Sequence, residues 1–323
     1  MTLNDILTLI VGRINDLDLV REPRELYEPV DYCLKNGGKR MRPAMTLLAC
    51  QLFGGDIEKA IPPAIGLELF HNFTLMHDDI MDNAPIRRGK PAVHTKWNDN
   101  TAILSGDVMF ALAGEYMTKV DDTHLRQVME DYHKVVIEVC DGQQLDMNFE
   151  QRARVSLPEY VEMIRLKTAV LPAACLKMGA IVAGAAPDDQ DHIYRFGECV
   201  GLAFQLKDDW LDVFGDEAKF GKKSGGDILA NKKTWLYIKA LELASETHRQ
   251  TLLDAYANQI SDPDEKIRTV KNIFFELKVD QLCVKQMEHW YEKAYNHLSQ
   301  INAPEAAKEN LRALARSLFD REI

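Results

Sequence analysis

The sequence predicts an all-α protein, a single-domain bundle of about ten mostly antiparallel helices around a central cavity. Long stretches carry apolar residues at three- and four-residue spacing, and no run alternates in the way that a half-buried strand does. With 323 residues and 46% hydrophobic content, the chain can bury a large core. No Gly/Ser/Pro-rich linker interrupts it, so we expect one domain over residues 1–323.

The first half of the chain contains one strongly apolar helix between amphipathic ones. The amino-terminal segment "MTLNDILTLIVGRINDLDL" carries acids and no basic leader, so it resembles neither a signal peptide nor a membrane anchor. Residues 62–82, "PPAIGLELFHNFTLMHDDIMD", are apolar nearly all round and predict a central buried helix. Residues 121–149 show amphipathic spacing, and Ser156 with Glu159 in "SLPEY" predicts a capping box.

The second half repeats this organisation. Residues 168–187 are the most apolar tract, but Pro172 and Lys177 interrupt it, which favours a buried core helix over a membrane span. Residues 195–215, "RFGECVGLAFQLKDDWLDVFG", predict a second central helix, and residues 264–301 show amphipathic spacing again. The predicted loops are "GG", "NAP", "AAPDD", "SDPDE" and "NAPE".

Charge and cysteine usage exclude several classes of protein. The formal net charge of −11 speaks against nucleic acid as a partner, although an anionic small substrate can still bind a local basic cluster. The six cysteines lie far apart, with no CxxC pair and no histidine at zinc spacing. They are typical of reduced core thiols in a cytoplasmic protein.

Both central helices end in the pattern Asp-Asp-x-x-Asp, written DDxxD below. The aspartates are Asp78, Asp79 and Asp82 in the first helix and Asp208, Asp209 and Asp212 in the second. The first and last of each motif share one helix face, whereas the middle one points about a quarter turn aside. Carboxylates at the carboxyl end of a helix oppose its dipole, so positive charge from elsewhere must compensate them. Paired carboxylates of this kind suit Mg²⁺, which usually completes its shell with water and substrate phosphate.

The alternative interpretation is that these are solvated helix-end acids, but two copies on apolar helices favour two metal clamps facing one shared cavity. Basic residues follow the same segments, and each cluster alone is more typical of a solvated face. The clusters comprise Lys39, Arg40 and Arg42 in "GGKRMRP", Arg87 and Arg88 after the first motif, Lys167, and Lys222, Lys223, Lys232 and Lys233 after the second.

These motifs resemble the trans-isoprenyl diphosphate synthases, or polyprenyl synthetases. The resemblance runs from about Lys35 to Trp235 and includes "GGKRMRP", "HNFTLMHDDIMD", "RRGKP", "GQQLD", "KT", "FQLKDDWLD", "GKKSGGD" and "NKKTW" in the family's order. It implies the isoprenoid synthase fold, a homodimer, and condensation of isopentenyl diphosphate with dimethylallyl, geranyl or farnesyl diphosphate. About three Mg²⁺ ions would assist departure of the allylic diphosphate.

The resemblance also implies roles for individual residues. Asp78, Asp82 and Asp208 would hold Mg²⁺, supported by Asp79, Asp209 and Asp212. Arg87, Lys167, Lys222 and Lys232 would bind the allylic diphosphate, and Lys39, Arg42, His71 and Arg88 would bind isopentenyl diphosphate. Thr168 and Gln205 would direct oxygens at the allylic cation, although a satisfied core amide is an equal alternative for Gln205. A basic carboxyl terminus touches the second substrate in the family, whereas "DREI" offers only Arg321.

Aromatic residues before the first motif predict the product length. Phe73 lies about 7.5 Å and Phe70 about 12 Å up the helix from Asp78, while the position four residues before it is the small Thr74. In the family, an aromatic at the fifth position without one at the fourth resembles synthases that stop near geranylgeranyl (C20). We therefore expect C20, with farnesyl (C15) close behind, against the alternative that Phe73 only packs the core.

Two rival functions remain open from the sequence. Glu68 with His71, and Glu130 with His133, match the Glu-x-x-His spacing of a ferritin-like di-iron oxidase, but that reading leaves both acidic motifs unexplained. A non-catalytic partner subunit of a heteromeric synthase is expected to have lost aspartates that are complete here. Terpene cyclases share only the first motif.

Overall fold

The protein, described here by a computed structural model, is almost entirely helical over residues 1–215 and 224–319. The all-α prediction is confirmed. The described residues hold more helical segments than the ten predicted, because short segments such as Val93–Lys96 and Gly226–Leu229 separate the longer ones. The prediction of helix over residues 264–301 is confirmed, in two helices. The two helices are separated at Lys278, which adopts a positive φ of 55°. No glycine or proline in this part of the sequence predicts the break.

The helices of the first half are α1 Leu3–Asn15, α2 Arg24–Lys35, α3 Met41–Leu52, α4 Ile57–Met81, α5 Val93–Lys96, α6 Asp99–Met117 and α7 Asp122–Gln151. Strands β1 Ile86–Arg87 and β2 Lys90–Pro91 form a small antiparallel hairpin after α4. The later helices are α8 Leu157–Ile164, α9 Val170–Val182, α10 Pro187–Phe214, α11 Gly226–Leu229, α12 Trp235–Leu243, α13 Glu246–Tyr256, α14 Pro263–Glu276, α15 Val279–Gln300 and α16 Glu305–Phe319. A π-helical turn, Arg165–Ala169, joins α8 to α9.

The chain divides into two compact units. The first unit comprises residues 1–134, 174–194 and 301–311. Within it α4 packs against α3 and α6, and every residue of α4 from Pro63 to Phe70 is buried. The sequence signature of a helix that is apolar all round therefore predicted its burial correctly.

The second unit comprises residues 135–173, 195–300 and 312–323. Its core gathers buried side chains from α8, α10, α12, α14 and α15, among them Leu206, Leu236 and Phe274. The predicted capping box begins α8: Ser156 accepts from the Glu159 amide, and the Glu159 carboxylate accepts from the Ser156 amide at 2.9 Å. The carboxyl half of α10 thus packs into this core through Leu202, Leu206 and Val213.

The cysteines and the apolar tracts agree largely with expectation. All six cysteines lie among the described residues and are free; four are buried, Cys33 is half-buried, and Cys140 is exposed rather than in the core. Over the described part of the chain, no helix combines the length and hydropathy that crossing a membrane requires.

Candidate active site

The first DDxxD motif occupies the end of α4, as predicted. Asp82 is the residue that caps the helix. Asp78 is half-buried and Asp82 exposed, whereas Asp79 is only 3% exposed. The Asp79 carboxylate accepts hydrogen bonds from the Arg87 guanidinium, including one from Nε at 2.8 Å. Arg87 thus compensates the middle aspartate, and the outer two face more open surroundings.

The hairpin that follows brings Arg87 and Arg88 back toward the "GGKRMRP" segment. Asn36 donates to the Arg87 carbonyl at 3.1 Å, and Arg88 Nη1 donates to the Gly37 carbonyl at 2.6 Å. A Cβ on Gly38 would lie 2.8 Å from Arg88 Cζ, so the arginine can lie there only because residue 38 is glycine. The structure therefore brings together two of the basic segments that the sequence singled out.

Arg42 and His71 form a direct contact in the same unit. Arg42 Nη1 lies 3.1 Å from His71 Nε2. Because a guanidinium only donates, the ring nitrogen must accept. Burial, followed by the charge of Arg42, holds the pKa of His71 well below its usual range, so the ring is neutral. Lys39, another of the four residues predicted for this site, is exposed.

The second DDxxD motif occupies the last turns of α10. Asp209 is 4% exposed and accepts hydrogen bonds from the Tyr160 hydroxyl and from Gln205 Nε2, the latter at 3.0 Å. Asp212 Oδ2 accepts from the Asp227 amide at 2.9 Å and so binds the first turn of α11. As in the first motif, the middle aspartate is tied into the protein.

Burial and neighbouring carboxylates raise the pKa of both Asp209 and Asp227. Burial, together with the charge of Asp227, raises the pKa of Asp209 to about 8. Burial and Asp212 raise the pKa of Asp227 to about 6, and Lys232, whose Nζ lies 4.0 Å from Asp227 Oδ1, acts in the opposite direction. This part of the site therefore favours binding of further positive charge.

Lys167 and Thr168 both lie in the π-helical turn, and both contact polar side chains of the second unit. Lys167 Nζ donates to Asp146, and Thr168 Oγ1 donates to Gln205 Oε1 at 3.0 Å. A Cβ on Gly142 would meet the Lys167 amide nitrogen at 2.2 Å, so α7 approaches the turn closely only through this glycine. Turns of this kind are frequent at functional sites.

Gln205 is a satisfied amide in this structure. Its carbonyl oxygen accepts from Thr168 and its amide donates to Asp209. These contacts are those expected of a satisfied core amide, and the role of Gln205 near an allylic cation stays a prediction. Thr168, by donating its proton to Gln205, keeps its own oxygen lone pairs available.

A cavity of about 200 Å³ opens beside these groups in the second unit. Lys167, Lys232 and Asp209 line its polar side, and Phe149 and Met163 its apolar side. Such a cavity suits a ligand with a charged head and an apolar tail. Lys233 also lines it and donates to the Glu150 carbonyl at 3.2 Å, whereas Lys222 and Lys223 lie outside the described residues.

The predicted ruler residues lie in an aromatic cluster of the first unit. Phe73 is half-buried, with its ring centroid 5.8 Å from Phe70 and 5.4 Å from Phe110. Phe70 is fully buried and packs edge-on against Tyr132 at 6.0 Å. Thr74 donates to the His71 carbonyl at 2.8 Å. Sequence reasoning missed Phe110 and Tyr132, because they come from other helices.

Other site residues were missed for the same reason. Tyr160, Asp146 and Asp227 reach the site from α8, α7 and α11. The only signal was that Asp146 and Asp227 belong to "GQQLD" and "GKKSGGD", motifs to which no individual role was given. Tyr160 carried no signal beyond its place in a capping-box helix.

The di-iron alternative does not fit the geometry. Glu68 pairs with Arg40, and Glu130 is an exposed partner of Arg126. Over the described residues, no three histidine, cysteine, aspartate or glutamate side chains converge as metal ligands. That finding is compatible with Mg²⁺, because this ion usually takes one or two carboxylates and draws its remaining ligands from water and phosphate. The half-buried Asp78 and the exposed Asp82 lie four residues apart and therefore on one face of α4.

Comparison with known proteins agrees with this geometry. The polyprenyl synthetase profile matches residues 23–273. A geranylgeranyl diphosphate synthase of Methanosarcina mazei is 43% identical over 285 residues, which cover 87% of this chain and 86% of that protein. A short chain isoprenyl diphosphate synthase of Methanothermobacter thermautotrophicus is 39% identical over 298 residues, covering 91% and 86%.

Solved structures show the same fold. The crystal structure of a geranylgeranyl pyrophosphate synthase superimposes with a TM-score of 0.93 at 40% identity, and the match covers 100% of both chains. The predicted isoprenoid synthase fold is confirmed, and the chain belongs to the polyprenyl synthetase family of prenyltransferases.

Proposed function

We propose that the chain is a Mg²⁺-dependent enzyme that condenses isopentenyl diphosphate head-to-tail with dimethylallyl, geranyl and farnesyl diphosphates. The product is a short-chain all-trans prenyl diphosphate, geranylgeranyl (C20) in preference to farnesyl (C15). The relatives named above as geranylgeranyl diphosphate synthases support this assignment.

One observation carries the proposal: in both DDxxD motifs the middle aspartate is buried and hydrogen-bonded, while the outer two are more accessible. Asp79 is held by Arg87, and Asp209 by Tyr160 and Gln205. The outer carboxylates of each motif share a helix face, as a clamp for a hydrated cation requires. Solvated helix-end acids would not need the middle residue to be anchored.

The chain's own residues supply charge and orientation. Bound Mg²⁺ would stabilise the negative charge that develops on the departing diphosphate. Lys167 and Lys232 line the cavity and would bind the same diphosphate, with Lys222 and Arg87 assigned there by resemblance. The allylic carbon–oxygen bond breaks, the double bond of isopentenyl diphosphate forms the new carbon–carbon bond, and a proton passes to the released diphosphate. No nucleophilic serine or cysteine is needed, because preorganised positive charge stabilises the departing diphosphate.

A second basic set would bind isopentenyl diphosphate. It consists of Lys39, Arg42, His71 and Arg88. The contact between Arg42 and the neutral His71 keeps one guanidinium edge oriented, and an arginine fork suits a diphosphate. We further propose a homodimer located in the cytoplasm; the free cysteines are compatible with a reducing compartment.

The experiment is incubation of the purified protein with isopentenyl diphosphate, Mg²⁺ and each allylic diphosphate in turn, followed by chromatography of the products. We expect elongation that stops near C20 and that EDTA abolishes. Asp78→Asn should reduce turnover by roughly a thousandfold or more, because it removes a charge that binds the metal.

A matched control is Asp16→Asn, which removes an exposed aspartate from the carboxyl end of α1. It should leave turnover unchanged. Near-normal turnover of the Asp78 variant, or elongation that persists in EDTA, would reject the metal assignment. Absence of any elongation product from the unmodified protein would reject the proposed function.

A further inference from the structure

Arg40 and Glu68 form a buried ion pair that has no part in the proposed reaction. Arg40 is 6% exposed and Glu68 2%, and Arg40 Nη1 lies 2.5 Å from Glu68 Oε1. Arg40 is the basic residue of "GGKRMRP" to which the resemblance gave no role. A buried pair adds little net stability over well-packed apolar side chains. The pair is therefore better explained by the groups that it holds in position than by a gain in stability.

On one side the pair fixes the backbone between two proposed substrate-binding residues. Arg40 immediately precedes α3 with a φ of 49°, in the left-handed region that non-glycine residues rarely occupy. Its guanidinium donates both to Glu68 and to the Leu34 carbonyl. Lys39 and Arg42 flank this residue, so the directions in which their side chains leave the backbone depend on it.

On the other side Glu68 orients the amide of Asn72, one helical turn further along α4. Asn72 is fully buried, and its Nδ2 donates to the Glu68 carbonyl at 2.8 Å and to Glu68 Oε1 at 3.1 Å. This arrangement leaves the Asn72 carbonyl oxygen pointing away from Glu68. Arg88 Nη1 donates to that oxygen at 3.4 Å.

Arg88 is therefore held from two directions. Besides Asn72, it donates to the Gly37 carbonyl at 2.6 Å and lies against Gly38. The loop that carries Lys39 and the hairpin that carries Arg88 thus share one buried carboxylate, directly through Arg40 and indirectly through Asn72. His71, which contacts Arg42, lies between Glu68 and Asn72 in the sequence of the same helix.

We propose that Glu68 is a positioning residue for isopentenyl diphosphate: it orients Lys39 and Arg42 through Arg40, and Arg88 through Asn72. It does not touch the substrate. The proposal rests on the proposed function, specifically on the assignment of these cations to the second diphosphate site. It predicts a defect confined to one of the two substrates.

The test is Glu68→Gln, which keeps the shape of the side chain and removes its charge. We expect the KM for isopentenyl diphosphate to rise roughly tenfold, equivalent to about 1.4 kcal/mol, because a charge-assisted hydrogen bond becomes neutral. The KM for the allylic substrate and kcat should each change by less than about twofold to threefold. Calorimetric titration with isopentenyl diphosphate alone should show the same weakening.

The matched control is Asp131→Asn, which removes the carboxylate of a half-buried ion pair with Lys177 in the same unit. It should lower thermal stability without changing either KM. If Glu68→Gln does not fold, the double variant Arg40→Gln, Glu68→Gln keeps a neutral hydrogen bond and leaves no unpaired charge. Under the proposal its KM for isopentenyl diphosphate stays raised, whereas recovery of the normal KM would mean that the pair serves stability alone.

Arg42→Ala separates failure of the inference from failure of the proposed function. If Arg42→Ala raises the KM for isopentenyl diphosphate while Glu68→Gln changes neither KM, or changes both equally, the positioning role is wrong and the site stands. If Arg42→Ala has no effect on that KM, the site assignment fails and the positioning role fails with it.

Discussion

Phe73→Ala should lengthen the product by one isoprene unit. The rise along α4 between Phe73 and Phe70 is three residues, or about 4.5 Å. An isoprene unit adds four carbons to the main chain, and four zigzag single bonds of about 1.5 Å span roughly 5 Å. The space released by Phe73 therefore fits one more unit. Phe70, which is fully buried behind it, becomes the next stop, so the main product should move from C20 to C25.

The neighbouring ring limits the change. The Phe110 ring centroid lies 5.4 Å from that of Phe73 and 6.3 Å from that of Phe70, so this ring borders the space that Phe73 would vacate. The double variant Phe73→Ala, Phe110→Ala should yield products longer than C25. Because Phe73 is only half-buried, its loss should cost about 2 kcal/mol, less than the 3 to 5 typical of a fully buried phenylalanine.

The assay is reversed-phase chromatography of dephosphorylated products from labelled isopentenyl diphosphate and farnesyl diphosphate. Leu69→Ala is the control, since it removes a fully buried side chain of the same helix that belongs to none of these ring contacts. It should destabilise the protein without changing the product. An active Phe73→Ala enzyme with unchanged product distribution would refute the ruler, and Phe73 would then be core packing.

Three further outcomes follow from the geometry. Thr74→Phe adds a ring one residue nearer to the motif and should shorten the main product to C15, which the same chromatography measures. Gly142→Ala should lower kcat at least tenfold, since its Cβ would lie 2.2 Å from the Lys167 amide nitrogen; Gly114→Ala, with nothing within 4 Å, should be silent. In EDTA, the protein should lose thermal stability as the pH rises from about 4 to about 8. Asp209 has a pKa raised from 3.8 to about 8 in the folded state, so the folded protein binds this proton more tightly than the unfolded chain does. Asp209→Asn should flatten that slope, and an equal slope in both proteins would contradict it.

The helix ends that carry the two motifs were predictable from local sequence. A helix that is apolar all round must be buried, and its 3.6-residue period fixes which aspartates share a face. The burial of Asp79 and Asp209 is compatible with the same period, since each points about a quarter turn away from the more accessible outer pair. Periodicity could not reveal their partners, because Arg87 and Tyr160 come from other elements of the chain.

Features that depend on close approach escaped the sequence. The π-helical turn at Lys167 carries no glycine or proline of its own; the glycine that permits it, Gly142, lies in another helix. The pair of Arg40 with Glu68 joins residues 28 positions apart, and "ELFH" alone fitted a metal-ligand pattern equally well. Spacing identifies residues that share a face, and tertiary packing decides what that face meets.

The partners of the two middle aspartates make the motifs electrostatically different. Asp79 pairs with the permanently charged guanidinium of Arg87, so the first motif has one carboxylate already neutralised. Asp209 has a phenol and an amide as hydrogen-bond donors, and burial beside Asp227 raises its pKa to about 8. A cation that binds beside Asp209 must displace this proton, so its affinity should increase as the pH rises toward about 8. Cation binding should therefore depend more steeply on pH at the second motif than at the first, although the two motifs have the same sequence pattern.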